Sequence, residues 1–201
     1  MKKTSSRGRP PTLEKALVVQ TAMIYYWARG PQDVSINDIC ELVGSSKPSI
    51  YRAFGSDDGL KTQVLGAYQE AVIMPFLNII KSGQSFDEIV DGAVAFMLQD
   101  REVSGLPLGC LFVLMRAQRQ RLGTSTGAKV DQIREEVLNS LSAWIEDAKK
   151  QGEISNALPT AVLAHYVDAQ HAGVMRMQQE GVPSNQIEAY IRYGFEALRS
   201  I

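Results

Sequence analysis

The 201 residues predict an all-α chain. Apolar residues recur at three- and four-residue spacing, and no stretch alternates with the two-residue period of a strand. Glycine, in several places next to or two residues from a proline, punctuates these segments at helix-length intervals. Hydrophobic residues make up 45% of the chain, enough to bury a core. No apolar run approaches the roughly 20 residues that span a bilayer, so no membrane partner is expected. MKKTSSRGRPPT is basic but leads into no apolar stretch or cleavage site, which argues against a secretory leader and for a cytoplasmic protein. Cys40 and Cys110 lack metal-site spacing and read as two buried thiols.

The elements follow in order. Residues 1–11, rich in Ser, Gly, Pro, Lys and Arg, read as a flexible basic arm. A first helix is expected from about Thr12, its cap, to Arg29, where Gly30-Pro31 stops it. Two short helices share SINDICELVGSSKPSIYRAFGS at 35–56. A longer one begins near Ser56 or Asp57 and runs to about Ile80, with Pro75 bending or ending it. Ser85 and Glu88 form a capping box before a helix that fails by Gly105-Leu106-Pro107. GCLFVLMRAQRQ is a short helix, and GTSTG at 123–127 reads as a hinge-like break. The stripe from Val130 to Ile145 marks a helix closed by Gly152. Helices over about 159–180 and 184–200, parted by Gly181-Val182-Pro183, complete a count of about nine.

The 35–56 stretch is too short and polar to be ordinary core. Ser35 with Asp38 is a capping box, Gly44 ends the first helix by taking positive φ, and Ser45 or Ser46 caps the second. Pro48 fits its first turn. Ile50 and Phe54 point inward, leaving Ser46, Lys47, Ser49, Tyr51 and Arg52 on the other surface. This is helix-turn-helix spacing, whose second helix enters a DNA major groove. Lys47, Ser49, Tyr51 and Arg52 suit phosphates and base edges. A helical hairpin with a solvated face has the same spacing. Charge leans toward the first reading: through Thr62 there are nine Lys or Arg against six Asp or Glu, and beyond it twelve against sixteen.

AMIYYWARGPQDV followed by SINDICELVGSSKPSIYRAFGSDDGLKTQVLGAY resembles the DNA-binding domain of TetR/AcrR-type transcriptional regulators. The match falls on Ala22, Gly30, Ser35, Ile39, Gly44, Tyr51, Phe54 and Leu60. It implies an N-terminal three-helix headpiece over 12–56 and a helical ligand-binding and dimerisation domain over 57–201. By the same resemblance, Tyr51 contacts a phosphate, Lys47, Ser49 and Arg52 lie against the groove, and Ser35 caps a helix approaching the backbone. Many members carry Lys soon after the aromatic pair, where this chain has Asp57. Lys61, one turn on, or Lys2, Lys3, Arg7 and Arg9 of the arm, are the expected substitutes. The implied partners are a palindromic operator in double-stranded DNA, a small-molecule effector and a second copy of the chain.

Within the body, Phe96, Met97, Phe112, Met115, Trp144, Tyr166 and Met175 are candidate walls of an apolar effector pocket. Arg116, His165, Gln170 and His171 are its candidate polar groups. An ordinary core explains the same large residues. The last two helices are the expected dimer interface, with Ala169 and Gly173 permitting close approach and Ile187, Tyr190, Ile191, Phe195 and Leu198 supplying apolar area. His165, Asp168 and His171 do not make a metal site: the histidines advance roughly 120° from each other around one helix. No nucleophile with its base and no phosphate-cradling loop points to an enzyme, and no cofactor is expected.

Overall fold

Val18, Ala22 and Tyr26 recur every fourth residue, so α1 (Lys15–Arg29) buries one side in a core that also receives Trp27. The computed structural model describes residues 14–100 and 105–200. Glu14 occupies the N-cap position of α1 without a side-chain bond, and Thr12, the cap expected from sequence, lies outside the described residues. Gly30 ends it at φ 96°, a left-handed conformation suited to glycine.

α2 (Ile36–Leu42) and α3 (Lys47–Phe54) follow, both shorter than three turns. α4 (Asp57–Tyr68) continues through a π-helical turn, Gln69–Ile73, into α5 (Met74–Ile80). Pro75 lies in the first turn of α5. It lacks an N–H and crowds the carbonyl four residues back, and the wider π turn accommodates both demands. The helix therefore continues past Pro75.

The body adds α6 (Phe86–Met97), α7 (Leu111–Ala117), α8 (Thr124–Lys150), α9 (Thr160–Gln179) and α10 (Ser184–Ser200). Among the described residues this makes ten α-helical segments, or nine with α4 and α5 taken as one. No helix among them is long and apolar enough to cross a membrane. Both expected capping boxes are present, Ser35 with Asp38 and Ser85 with Glu88.

GTSTG is not a break. Only Gly123 precedes α8, and Thr124–Gly127 forms its first turn. A Cβ on Gly127 would sit 2.3 Å from a guanidinium nitrogen of Arg119, so that glycine admits a crossing side chain rather than bending the chain.

α4 packs on α1, α3, α7 and α8, and so belongs physically to both headpiece and body. Trp27 meets Tyr68 edge-on at 5.0 Å, and the Tyr68 hydroxyl donates to the Cys110 Sγ at 3.2 Å. Cys110 is buried as expected, whereas Cys40 is only half-buried. At the far end, Asp87 and Asp91 of α6 pair with Arg199 and Arg192 of α10.

Candidate nucleic-acid interface

The start of α2 is closed on itself. Asp38 N donates to Ser35 Oγ at 3.3 Å, while Ser35 N and Ser35 Oγ each donate to the Asp38 carboxylate at 2.7 Å. The Ser35 bonds hold the Asp38 carboxyl below its ordinary value, with Arg29 assisting against slight desolvation. The Ser35 hydroxyl proton is thus already engaged, and what it leaves facing solvent is a helix start with a carboxylate beside it.

Gly44 then turns the chain at φ 62°, and the Ser45 amide donates to the Cys40 carbonyl at 2.9 Å, closing the end of α2. Ser46 takes the N-cap position of α3 without making the side-chain cap bond expected of it. Its hydroxyl lies 3.0 Å from that of Ser49 instead. Ile50 is fully buried and Phe54 nearly so. Lys47 and Arg52 are exposed and Ser49 is half-buried. Tyr51 keeps 38% of its surface in solvent, with the Lys47 ammonium 5.7 Å from its ring centre. Arg52 makes no ion pair among the described residues. One short helix therefore presents two cations, a phenol and a hydroxyl on the side opposite its two core anchors. Cations and hydroxyls on an exposed helix face are the groups that grip phosphate oxygens and base edges.

The curated HTH-type transcriptional repressor BdcR of Escherichia coli K12 is 25% identical over 104 residues, covering 52% of this chain and 53% of that protein. The repressor ComR of the same organism is 33% identical over 63 residues, covering 31% and 30%. The chain spans about half the length of the first and less of the second. No protein-family profile matches. Among solved structures, the TetR family transcriptional regulator CifR, in a cysteine-substituted form complexed with 26-bp operator DNA, superposes with a TM-score of 0.79 at 21% identity. That superposition covers 95% of this chain and all of the other. This chain has the TetR/AcrR-type helix-turn-helix fold.

Within the TetR-type headpiece one expected contact is corrected. Lys61 is 8% exposed, its Nζ lies 2.7 Å from the Asp57 carboxylate, and the ammonium stands 5.7 Å from the Tyr26 ring. One helical turn separates Asp57 from Lys61, so the acid that replaced the usual lysine also claims the cation expected to substitute for it. Lys2, Lys3, Arg7 and Arg9 lie outside the described residues.

The TetR-type body does not gather the residues nominated as a pocket. Trp144 stacks on Phe86 at 5.2 Å and meets Phe195 edge-on at 5.9 Å, in a corner formed by α6, α8 and α10. Met97, Met115 and Met175 are buried core, and His165 faces solvent. The Tyr166 hydroxyl donates to the Gly194 carbonyl, and Gln170 lies against the same glycine, so both join α9 to α10.

A smaller band does converge. Arg116 makes two bonds to Asp168, at 2.7 and 2.8 Å, and its guanidinium lies 5.5 Å from the Phe112 ring centre. His171 sits 5.7 Å from Phe76, which sits 5.7 Å from Phe96. Burial lowers the His171 pKa to about 4; Asp168 pulls it back up and Arg116 adds to the lowering. Phe76 and the Arg116–Asp168 pairing escaped the sequence reading. The expected apolar wall thus has a paired ion at its centre. The α10 stripe is corrected too. Ile187, Ile191, Phe195 and Leu198 are buried in the protomer's own core, while Ala169, Tyr190 and especially Tyr193, at 81% exposure, face outward. Gly173 is where the Tyr190 ring lies across α9, since a Cβ there would stand 3.0 Å from its hydroxyl.

Proposed function

We propose that this chain is a DNA-binding transcriptional regulator: a homodimeric repressor that leaves a palindromic operator when a small hydrophobic or aromatic effector binds the body. The observation that carries the reading is the outward face of α3. Lys47, Ser49, Tyr51 and Arg52 stand together on a helix whose other side, Ile50 and Phe54, is fixed in the core. The operator complex of CifR, a protein of the same fold, supports it. One recognition helix reads few bases, so two copies related by a two-fold axis would read two half-sites one helical turn apart. The exposed surface of α9 and α10, with Val162, Ala169, Tyr190 and Tyr193, is the face offered to the second copy. The Phe112–Arg116–Asp168–His171 band, with Phe76 and Phe96, is the effector site this reading favours.

A second reading, a regulator without a small-molecule ligand, is favoured by the packing of Phe112, Met115, Trp144 and Met175 as core. Fluorescence anisotropy with duplexes from around the chain's own coding region tests the DNA-binding claim. Tight binding at 50 mM salt that weakens by about two or more powers of ten at 200 mM is expected for several phosphate contacts. Binding to no duplex at low salt would end the proposal. Light scattering of the free protein is expected to return the dimer mass. A compound that raises the melting temperature and releases the duplex separates the two readings.

A further inference from the structure

α8 is 27 residues long yet begins without a cap of its own: Gly123 has no side chain to supply one, and the first turn carries no acid. Two amides of its first turn are bonded from elsewhere. The carboxylate of Asp58, in the first turn of α4, accepts from Ser125 N at 2.9 Å, Thr126 N at 3.0 Å and Thr126 Oγ1 at 2.6 Å. The Thr62 hydroxyl adds a bond to the Asp58 carbonyl and lies 3.1 Å from that of Thr126, which is fully buried. A negative charge at a helix N-terminus is favoured by the helix dipole as well as by the bonds. The approach is close enough to require a glycine, because a Cβ on Gly123 would stand 2.3 Å from the Asp58 Cγ.

Both ends of this contact are rigidly held. On the headpiece side, Asp58 lies four residues beyond Phe54, the last of α3. A Cβ on Gly59 would stand 2.0 Å from the Phe54 carbonyl oxygen, so the start of α4 sits directly against the end of α3. Ser56 caps α4 through the Gly59 amide. On the body side, Arg119 grips Asp131 with two bonds across Gly127, clipping the 119–121 turn to α8. The same turn carries the Arg121 carbonyl, which accepts from Gln32 in the headpiece at 3.2 Å. Three residues before Arg119, Arg116 holds Asp168.

We propose that Asp58 is a positioning residue that locks the headpiece to the body by capping α8, and that its release lets α3 change its orientation. The lock itself is independent of ligand. Its effect on half-site spacing rests on the DNA-binding reading above. Asp58→Ala removes the lock, Asp58→Asn retains an acceptor oxygen without the charge, and Gly123→Ala keeps the carboxylate but forces it away.

Genetically encoded spin labels at the exposed positions Glu41 and Glu135, in labelled chains diluted with unlabelled ones, report the headpiece-to-body distance without DNA. A narrow distribution is expected for the parent, one at least twofold broader for Asp58→Ala and Gly123→Ala, and an intermediate width for Asp58→Asn. Equal widths in all four folded proteins would overturn the lock. On a duplex with two half-sites, Asp58→Ala should bind at least tenfold more weakly than the parent. On a duplex with one half-site the two should agree within twofold. Equal losses on both duplexes would show that Asp58 does not set the spacing. If the parent binds no duplex, the DNA-binding reading fails while the distance measurement still decides the lock.

Discussion

In the headpiece, Ile39, Ile50 and Phe54 fill a small core while Lys47, Tyr51 and Arg52, on the same short helix as two of them, stand in solvent. In the body, Phe112, Met115, Trp144 and Met175 all turn inward, and Arg116 and Asp168 beside them are bonded to one another. The headpiece thus holds cations and hydroxyls ready for a partner outside the chain. The body uses most of these groups internally: Arg116 faces Asp168 and Tyr166 meets a backbone carbonyl, while Trp144 packs on two phenyl rings with its buried Nε1 unpaired among the described residues. The proposed function rests on that exposed set, whose polar groups can exchange water for a ligand. A closely packed interior must be opened before it can bind anything, so a ligand there has to offset the contacts it disrupts.

The sharpest way to break this contrast is at Trp144. If it is core, Trp144→Ala should cost about 3–5 kcal/mol in chemical denaturation, the usual range for emptying a large aromatic site. If it instead lined an open pocket, truncation would remove few contacts and the midpoint would shift little. A loss below about 1 kcal/mol would return Trp144 to the candidate pocket wall.

His171 tests the body by titration. Its pKa is lowered from 6.5 to about 4 because burial disfavours the charged ring, with Arg116 adding to the effect and Asp168 opposing it. Between these values the unfolded chain binds more protons than the folded one, so stability rises with pH. The contribution is complete above about pH 6.5, diminishes as pH falls, and is lost by about pH 4. The ring keeps some contact with solvent, which reduces the full shift to about 2 kcal/mol. Melting temperatures of the parent should fall across that window more steeply than those of His171→Gln. Parallel curves would mean that the imidazole is solvated in the folded protein.

The same contrast explains what was legible beforehand. Helix order, both capping boxes and the two-sidedness of α3 are local: Ser35 and Asp38 lie three residues apart, and Ile50 and Phe54 four apart, so spacing alone aligns them. The lock at Asp58 joins residues 67 and 68 positions apart, and Arg116 meets Asp168 across 52. No periodicity encodes such pairings. GTSTG has the sequence of a break for this reason: its lack of a capping side chain is visible in sequence, whereas the acid that supplies the cap is not. Lys61 is the opposite case: its i,i+4 relation to Asp57 is visible in the sequence, and the pair it forms takes the cation expected to face DNA. On α10, apolar spacing identified a buried stripe correctly but could not tell the protomer's own core from an interface.

The smallest expected effect falls on the headpiece, at Tyr51. Its ring shares the α3 surface with Lys47, and phenylalanine preserves both the ring and the 5.7 Å cation contact. Tyr51→Phe therefore changes only the hydroxyl, which makes no hydrogen bond to any described residue. Stability should stay within about 0.5 kcal/mol of the parent, as for exposed positions generally. If the hydroxyl donates to a phosphate, duplex affinity should fall by about 0.5–1.5 kcal/mol, roughly two- to twelvefold, and equally on every sequence, since phosphates are alike. The salt slope should not change, because no charge is lost. An affinity loss confined to particular base sequences would place the hydroxyl on a base edge. No loss at all would leave the grip to Lys47, Ser49 and Arg52. Each outcome separates a surface that reads from one that only holds.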